Sequence, residues 1–205
     1  MITRFLLARH ASCAQADIVL LGRAVDAALD AHGRLRAAAL AQRIAPEQPS
    51  LVLTSPRRRA RETAHAIVAH AGCPLQLAAA LDEIDFGRWG GQSFARLASD
   101  PHWQRWSRDH ARCNTPAGDS MIATQARIID CLHQLALAFA GSTLVLVTHA
   151  EIIRCALLRV LRMPIDAWQR IDIAPASLTS LRMTAAGLHV DSINEPAAGL
   201  ERPAA

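Results

Sequence analysis

The sequence predicts an α/β fold with a mostly parallel central sheet flanked by helices. Short apolar runs rich in branched residues alternate along the chain with longer segments whose apolar residues recur at helical spacing. Two of these strand-like runs lead straight into a helix, as strands of a parallel sheet do. The 205 residues, 51% hydrophobic and 20% charged, fit one globular domain with one core.

The chain opens on a strand, a helix and a second strand. Residues 2–8 (ITRFLLA) form a short buried strand. Residues 33–45 have apolar side chains at helical spacing, and Pro46 stops this helix. The apolar run SLVLTS at residues 50–55 is the second strand. This order is the start of a parallel sheet with a crossover helix.

A second helix follows, together with a third strand and a polar loop. Pro56 occupies a position where a helix begins, and good helix formers continue to Gly72. The segment LQLA at residues 75–78 is the third strand. Residues 81–91 (LDEIDFGRWGG) are polar and rich in glycine, which predicts a loop.

The middle of the chain is predicted to hold an inserted helical region, at about residues 92–118, that caps the carboxyl ends of the strands. Its periodicity is weak, and it carries Trp103 and Trp106 among many charges. The insertion could set substrate choice, or both tryptophans could simply pack. The turn TPAGDS ends it, and Asp119 or Ser120 caps a long helix at 120–139.

The last third repeats the strand-to-helix pattern and then adds two strands. A β-branched strand at 143–148 runs into a helix at 150–161, and residues 171–184 and 187–193 have the pattern of strands. We expect a single domain over residues 1–195 and a flexible tail over 196–205.

Composition excludes several classes of function. All 22 basic residues are arginines, so neither a P-loop lysine nor Schiff-base chemistry is available. The formal charge of +4 is compatible with anionic small molecules or nucleic acid. Five scattered cysteines without CxxC spacing indicate free thiols in a reducing compartment. No apolar run is long enough to span a membrane, and MITRFLLAR lacks a signal-peptide cleavage site, so we expect a cytoplasmic protein with no membrane partner.

Three strand-to-helix junctions carry the side chains that could take part in catalysis or ligand binding. The first strand ends in Arg9 and His10, and the fourth leads into His149. The second strand opens a helix that bears Arg57, Arg58, Arg59 and Arg61. Ligands bind at the carboxyl ends of strands in such sheets, so two histidines and at least two arginines converge there. Helix N-termini add N–H donors, and the pocket therefore favours a dianion such as phosphate.

A histidine in such a pocket can act as a nucleophile. Neutral imidazole can attack phosphorus to form a phosphohistidine, which water then cleaves. Arginines and the second histidine would stabilise the transition state. The leaving alkoxide needs a proton, for which the 81–91 loop offers Asp82, Glu83 and Asp85. The other histidines are interpreted as surface or packing residues: His32, His65, His70, His102, His110, His133 and His189.

Five ordered sequence blocks resemble the histidine phosphatase (phosphoglycerate mutase-like) superfamily over residues 4–184. The first block, Arg9-His10, is similar to the family's Arg-His-Gly, and the second matches Ser-Pro-x-x-Arg-Ala-x-x-Thr-Ala at Ser55-Pro56, Arg59-Ala60 and Thr63-Ala64. The third block, Leu81 to Trp89, is similar to Leu-x-Glu-x-x-Phe-Gly-x-Trp. The fourth, Pro116 to Ser120, is a variant of Pro-Gly-Gly-Glu-Ser, and the fifth, Thr148-His149, matches the family's late Ser/Thr-His.

The resemblance implies a three-layer α/β/α fold and a role for each site residue. His10 would be the phosphorylated nucleophile, Arg9, Arg59 and His149 would hold the phosphoryl group, and Glu83 would be the general acid and later the base. Ala150 and Cys13 are further candidates for the substrate pocket. The resemblance implies no metal and no cofactor, and a small phosphorylated metabolite as partner. The 83–89 stretch is similar to the α-ribazole phosphatase branch.

The chain departs from the family pattern at Ala11, where glycine is usual, and at Ala150-Glu151, where two glycines are common. It also departs at residues 12–16, where family members often carry Glu or Gln and then Asn. A catalytically weakened protein that binds phosphorylated ligands is therefore an alternative, as is phosphoglycerate mutase-type transfer, although the longer mutase signature is missing. A metallohydrolase built on His10 and His149 has no supporting spacing. No nucleic-acid motif is present, so no nucleic-acid partner is expected. A homodimer is left open.

Overall fold

The computed structural model describes residues 1–197 as a six-stranded sheet between two layers of helices. The strands are β1 (Thr3–Arg9), β2 (Leu51–Thr54), β3 (Leu75–Leu77), β4 (Thr143–Thr148), β5 (Leu178–Thr184) and β6 (Gly187–Glu195). The helices are α1 (Ala31–Ile44), α2 (Arg58–Ala71), α3 (Phe94–Leu97), α4 (Pro101–Trp106), α5 (Met121–Ala138) and α6 (Ala150–Val160). The predicted three-layer α/β fold is confirmed.

The sheet has the order β3-β2-β4-β1-β5-β6. The four strands β1 to β4 are parallel, while β5 runs antiparallel to β1 and β6 antiparallel to β5. Arg9 lies opposite Thr148, and Thr54 lies opposite Val147, so three adjacent strands end at one edge. The sheet is mostly parallel, as predicted, and this shared edge positions the site.

Both faces of the sheet are covered because the central strands are apolar on both sides. Leu6 and Val145 face one layer, where they pack with Leu40 of α1 and Ile67 of α2. The alternate positions, such as Leu7, face the layer formed by α5 and α6. A strand buried on both faces reads as a continuous apolar run, which is why the β1 and β4 predictions match the structure closely.

Capping residues set the helix boundaries. Asp30 accepts a hydrogen bond from the Gly33 backbone N–H at 2.6 Å, so α1 begins at Ala31, two residues before the predicted start. α2 begins at Arg58 and not at Pro56. Of the two candidate caps for α5, Ser120 is the one used, since its hydroxyl accepts from the Ala123 N–H at 3.0 Å.

The predicted strand at 171–184 is too long, because β5 begins only at Leu178. Pro175 has no N–H to give to a sheet ladder, and Ala176 has a φ of 57°, so the preceding segment cannot pair as a strand. At the other end β6 extends to Glu195, and Ala197 is buried against the core. The remainder of the predicted tail, residues 198–205, lies outside the described residues.

The inserted region consists of the two short helices α3 and α4. Trp106 is buried and packs against Trp89 and Trp103 with ring centroids 5.7 and 5.2 Å apart. His110 stacks on Trp106 at 4.2 Å, as a packing residue. This aromatic cluster anchors the insertion to the domain. Among residues 1–197 there is no helix with the length and apolar character needed to cross a membrane.

Candidate active site

The shared edge of β1, β2 and β4 brings two histidines together. The backbone N–H of His10 donates to the carbonyl of Thr148 at 2.9 Å, which continues the β1–β4 ladder by one residue. His149 stands at the N-cap of α6. The two imidazole rings meet edge to face with centroids 5.1 Å apart, and both are buried. The convergence expected from the strand ends is therefore present.

The ring of His10 is oriented by the next residue. Its Nδ1 lies 2.8 Å from the carbonyl oxygen of Ala11, and a carbonyl can only accept, so Nδ1 carries the proton. The Nε2 atom then holds a lone pair. Burial, followed by the charges of Arg59 and Arg9, holds the pKa of His10 well below its ordinary value. His10 is consequently neutral at physiological pH, with Nε2 available as a nucleophile.

Arg59 is a buried cation in the centre of the site. Its Nε donates to His10 Nε2 at 3.2 Å, and its Nη2 contacts His149 Nδ1 at 3.2 Å. The Gly22 carbonyl accepts from Nη2 at 3.0 Å. Gly22 has a φ of 50°, and a Cβ there would lie 2.8 Å from the Phe86 ring, so only glycine fits this turn. No carboxylate accepts a hydrogen bond from this guanidinium, which is therefore ready for an anion.

His149 is held by a chain of hydrogen bonds. Because Arg59 can only donate, His149 Nδ1 is the acceptor and Nε2 carries the proton. Nε2 lies 2.8 Å from Ser55 Oγ, which in turn donates to Asp82 Oδ1 at 3.3 Å. Arg57 Nε forms an ion pair with the same carboxylate oxygen at 2.9 Å. Burial and the surrounding cations hold the pKa of His149 well below its ordinary value.

Glu83 is the buried carboxyl group of the site. One oxygen accepts from the Ile84 N–H at 3.0 Å, and the other lies 3.5 Å from His149 Nδ1. Burial raises the pKa of Glu83 from 4.5 to about 7, and the nearby carboxylate of Glu151 also raises it. A carboxyl group with this pKa can both give and take a proton at neutral pH. Of the three candidate acids, Glu83 is the one that lines the same cavity as His10 and lies beside His149, whereas Asp82 is engaged with Ser55 and Arg57.

Arg9 brings to the site an N–H donor, its Nε, that has no hydrogen-bond acceptor in the described part of the chain. Its Nη1 donates to the backbone carbonyl of Ile173, which fixes the side chain. Its Nε is buried and has no hydrogen-bond partner. An unpartnered buried donor is costly unless a ligand satisfies it, so this atom marks a place for an anionic oxygen.

Arg9, His10, Arg59 and Glu83 line a cavity of about 130 Å³, and His149 lies behind this wall, against His10 and Arg59. Its walls are formed by Arg9, His10, Ala16, Val19, Leu20, Leu21, Gly22, Arg59, Glu83, Phe86, Phe94, Ala150 and Glu151. Phe94 belongs to α3, so the insertion does reach the pocket, although not through its tryptophans. In the part of the chain that the structure describes, no three His, Cys, Asp or Glu side chains are grouped so as to hold a metal ion.

The structure does not place Cys13 in the cavity wall. Its backbone pairs with Leu29 in an isolated bridge, and its side chain is buried. Burial raises the pKa of the Cys13 thiol, which makes it an unreactive packing group. Ala150, in contrast, does line the cavity, at the first position of α6.

Ala11 causes no backbone strain at the position where glycine is usual. The φ angle of Ala11 is not positive, and its backbone N–H donates to Thr63 Oγ1 at 3.1 Å. The methyl group is buried in the core between the sheet and the α1–α2 layer.

Sequence reasoning missed the residues that support the site. Arg23 donates to the Glu83 carbonyl at 2.7 Å and to Asp119 at 2.7 Å, and so holds the acid-bearing loop. It lies in a segment without regular structure and in no recognisable motif. Ser55 was visible as a motif residue at a strand end, yet its partner depends on which strand lies beside it. Glu151 was noted only as a departure from glycine.

Comparisons with known proteins agree with this geometry. The sequence profile described as the histidine phosphatase superfamily, branch 1, matches residues 5–196. The glucosyl-3-phosphoglycerate phosphatase of Mycolicibacterium vanbaalenii is 29% identical over 175 residues, which are 82% of this chain and 78% of that protein.

Two solved structures share the fold. A Bacillus stearothermophilus protein, YhfR, superposes with a TM-score of 0.88 at 21% identity, covering 94% of this chain and 97% of that one. The phosphoserine phosphatase of Entamoeba histolytica, in complex with 3-phosphoglyceric acid, superposes with a TM-score of 0.84 at 22% identity, covering 94% and 97%.

Proposed function

We propose that this chain, which belongs to the histidine phosphatase superfamily and is a phosphatase of that family, hydrolyses small phosphomonoesters through a phosphohistidine on His10. The observation that carries the proposal is the Nδ1 contact to the Ala11 carbonyl at 2.8 Å, which leaves the Nε2 lone pair of a neutral imidazole facing Arg59, His149 and Glu83. A nucleophile, an anion-binding set and a proton donor thus meet in one small cavity.

Binding of the phosphoryl group comes first. Its oxygens would take the hydrogen bonds of Arg59 Nε and of the unpartnered Arg9 Nε. Moving the Arg59 donor from His10 to the phosphate frees the Nε2 lone pair for attack. A bound dianion would also raise the pKa of His149, because a nearby negative charge favours the imidazolium, whose Nδ1–H then donates to a phosphoryl oxygen.

The first chemical step transfers the phosphoryl group. Nε2 of His10 forms a bond to phosphorus while the bond from phosphorus to the ester oxygen breaks. The carboxyl group of Glu83 gives its proton to the departing alkoxide, so the product leaves as a neutral alcohol. Arg9, Arg59 and His149 stabilise the charge on the equatorial oxygens during transfer.

The second step returns the enzyme to its starting state. Glu83, now a carboxylate, takes a proton from water as that water attacks the phosphohistidine. The bond between phosphorus and Nε2 breaks, and inorganic phosphate leaves. The pKa of about 7 suits Glu83 to both roles, since neither the acid nor the base form is scarce near neutral pH.

A phosphorylated metabolite of small size is the proposed substrate class. An α-ribazole phosphate is one candidate, from the sequence of the 83–89 loop, and glucosyl-3-phosphoglycerate is another, from the name of the M. vanbaalenii relative. We place the enzyme in the cytoplasm, where the free cysteines would stay reduced.

The test is hydrolysis of p-nitrophenyl phosphate in excess EDTA near pH 6 by wild type and by His10→Ala. We expect turnover by wild type and less than about a hundredth of that rate in the variant, because the nucleophile is gone. His65→Ala, on the exposed face of α2, is the matched control and should retain full activity. Retention of about a tenth of the rate by His10→Ala would refute the mechanism. Loss of wild-type activity in EDTA would favour the metallohydrolase.

The weakened-protein alternative predicts phosphate binding with no turnover of any substrate. Its grounds are Ala11, Ala150 and the altered stretch at 12–16, and the unstrained backbone at Ala11 removes the first of them. Mutase-type transfer is tested by supplying 3-phosphoglycerate and measuring the products. A phosphatase releases inorganic phosphate, whereas a mutase forms the isomeric phosphoglycerate.

A further inference from the structure

Glu151 places a second carboxylate in the wall of the catalytic cavity. It stands at the second position of α6, immediately after the cavity residue Ala150. Its charge raises the pKa of Glu83 and that of Arg9, although burial lowers the pKa of Arg9 overall, so Glu151 lies within electrostatic reach of both groups. Glu151 has no role in the catalytic steps proposed above.

One oxygen of this carboxylate is firmly held. Glu151 Oε1 accepts from Arg154 Nη1 at 2.7 Å. Arg154 is itself fixed, since its Nε donates to the Ile171 carbonyl at 2.8 Å and its guanidinium lies 5.2 Å from the ring centre of Trp168. The ion pair therefore orients the carboxylate relative to the cavity.

The other oxygen has no partner. Glu151 Oε2 is shielded from solvent and accepts no hydrogen bond from any residue in the range 1–197. A favourable position at the N-terminus of α6 and the ion pair to Arg154 explain why a glutamate is stable here. They do not explain a buried acceptor left unsatisfied, which is costly in the free protein. A donor supplied by the substrate would satisfy it.

We propose that Glu151 selects the leaving group: its Oε2 accepts a hydrogen bond from a hydroxyl or ammonium group of the substrate and repels a carboxylate. This inference rests on the proposed phosphatase function of the same site. It assigns the substrates to phosphomonoesters of neutral or cationic alcohols, and it disfavours phosphoglycerate-type esters. Phe86 and Phe94 are apolar side chains of the same cavity wall, so Glu151 adds a polar group to a wall that is partly apolar.

The charges of the cavity support this assignment. Two cations, Arg9 and Arg59, serve the phosphoryl dianion, and the described residues that line the cavity include no further arginine to receive a second anionic group. Arg154 is occupied by Glu151. A substrate carboxylate would therefore face the negative charge of Glu151 without compensation.

The test compares glycerol 3-phosphate with 3-phosphoglycerate, which differ in a hydroxymethyl group against a carboxylate. Each is measured as a substrate and as a competitive inhibitor of p-nitrophenyl phosphate turnover, with wild type, Glu151→Gln and Glu151→Ser. Wild type should prefer glycerol 3-phosphate. In both variants the preference should fall by about tenfold or more, since a charge-assisted hydrogen bond is lost and a repulsion is removed.

The controls separate the two proposals. Glu47→Gln, a carboxylate paired with Arg43 and Arg4 outside the cavity, should keep the wild-type preference. Turnover of p-nitrophenyl phosphate by the Glu151 variants reports an intact phosphoryl site. An unchanged preference in variants that still hydrolyse p-nitrophenyl phosphate would overturn the role of Glu151 alone. Absence of p-nitrophenyl phosphate turnover in wild type would overturn both proposals.

Discussion

Replacement of Glu83 by glutamine should change how the stability of the protein depends on pH. A folded-state pKa raised from 4.5 to about 7 means that the folded protein binds this proton more tightly than the unfolded chain does. Stability from this group is therefore fully present below pH 4.5 and is lost as the pH rises through 7. The full loss is about 3 kcal/mol, and most of it falls between pH 5 and pH 8. Glutamine carries no charge, so Glu83→Gln lacks this loss.

Urea unfolding of wild type and Glu83→Gln at pH 5, 6, 7 and 8 measures the difference. The variant should gain about 2–3 kcal/mol relative to wild type across this range. Glu47→Gln is the control: its hydrogen bond and ion pair with Arg43, and its ion pair with Arg4, oppose a smaller burial effect and keep the pKa of Glu47 below its ordinary value, so its effect should be constant from pH 5 to pH 8. A relative change for Glu83→Gln below about 0.5 kcal/mol would show that the Glu83 pKa is not raised and would argue against Glu83 as the general acid.

Three further outcomes follow from local contacts. Ala117→Gly should stabilise the protein by about 0.5–1 kcal/mol in urea unfolding, because Ala117 is exposed and has a φ of 63°; a loss of stability would contradict this reading of the turn. Ser55→Ala should lower kcat by about tenfold to a hundredfold, since His149 loses the acceptor that sets its tautomer, whereas the exposed Ser50→Ala should not change kcat. Cys13 should react slowly with iodoacetamide in the folded protein because burial raises the pKa of its thiol, and Cys13→Ser should keep kcat/KM within about twofold. Rapid labelling with loss of activity would show that Cys13 belongs to the substrate pocket.

The sequence was sufficient to predict the centre of the site because each of its residues follows a strand end or lies in a spaced motif. Arg9, His10 and His149 come directly after apolar runs, and strand ends in parallel sheets share one edge. Glu83 and Arg59 were singled out from neighbouring acids and arginines only by the family resemblance, and the structure brings both beside the histidines.

The supporting contacts could not be predicted in the same way. Arg23 and Asp119 are 96 residues apart, and nothing in their local sequence indicates that they pair. The link from Ser55 to His149 requires that β2 and β4 be neighbours, which is a property of the strand order. The start of β5 depends on the backbone at Pro175 and Ala176, while the apolar pattern continues past both.

The selective role proposed for Glu151 could likewise not be predicted from the sequence. A glutamate in the first turn of a helix, three residues before an arginine, has an ordinary explanation in helix stability. Only the three-dimensional arrangement shows that one oxygen is used by Arg154, that the other is buried without a partner in the described part of the chain, and that the side chain lines the cavity.

The most direct test of the central claim is to trap the covalent intermediate. Wild-type enzyme is mixed with excess p-nitrophenyl phosphate in EDTA, quenched in alkali within the first turnovers, and its peptides are analysed by mass spectrometry. A phosphoryl group on His10, formed and lost at rates compatible with kcat, is the expected result. Steady turnover without phosphorylated His10, accompanied by inversion of configuration at a chiral phosphorus, would show direct attack by water and contradict the account.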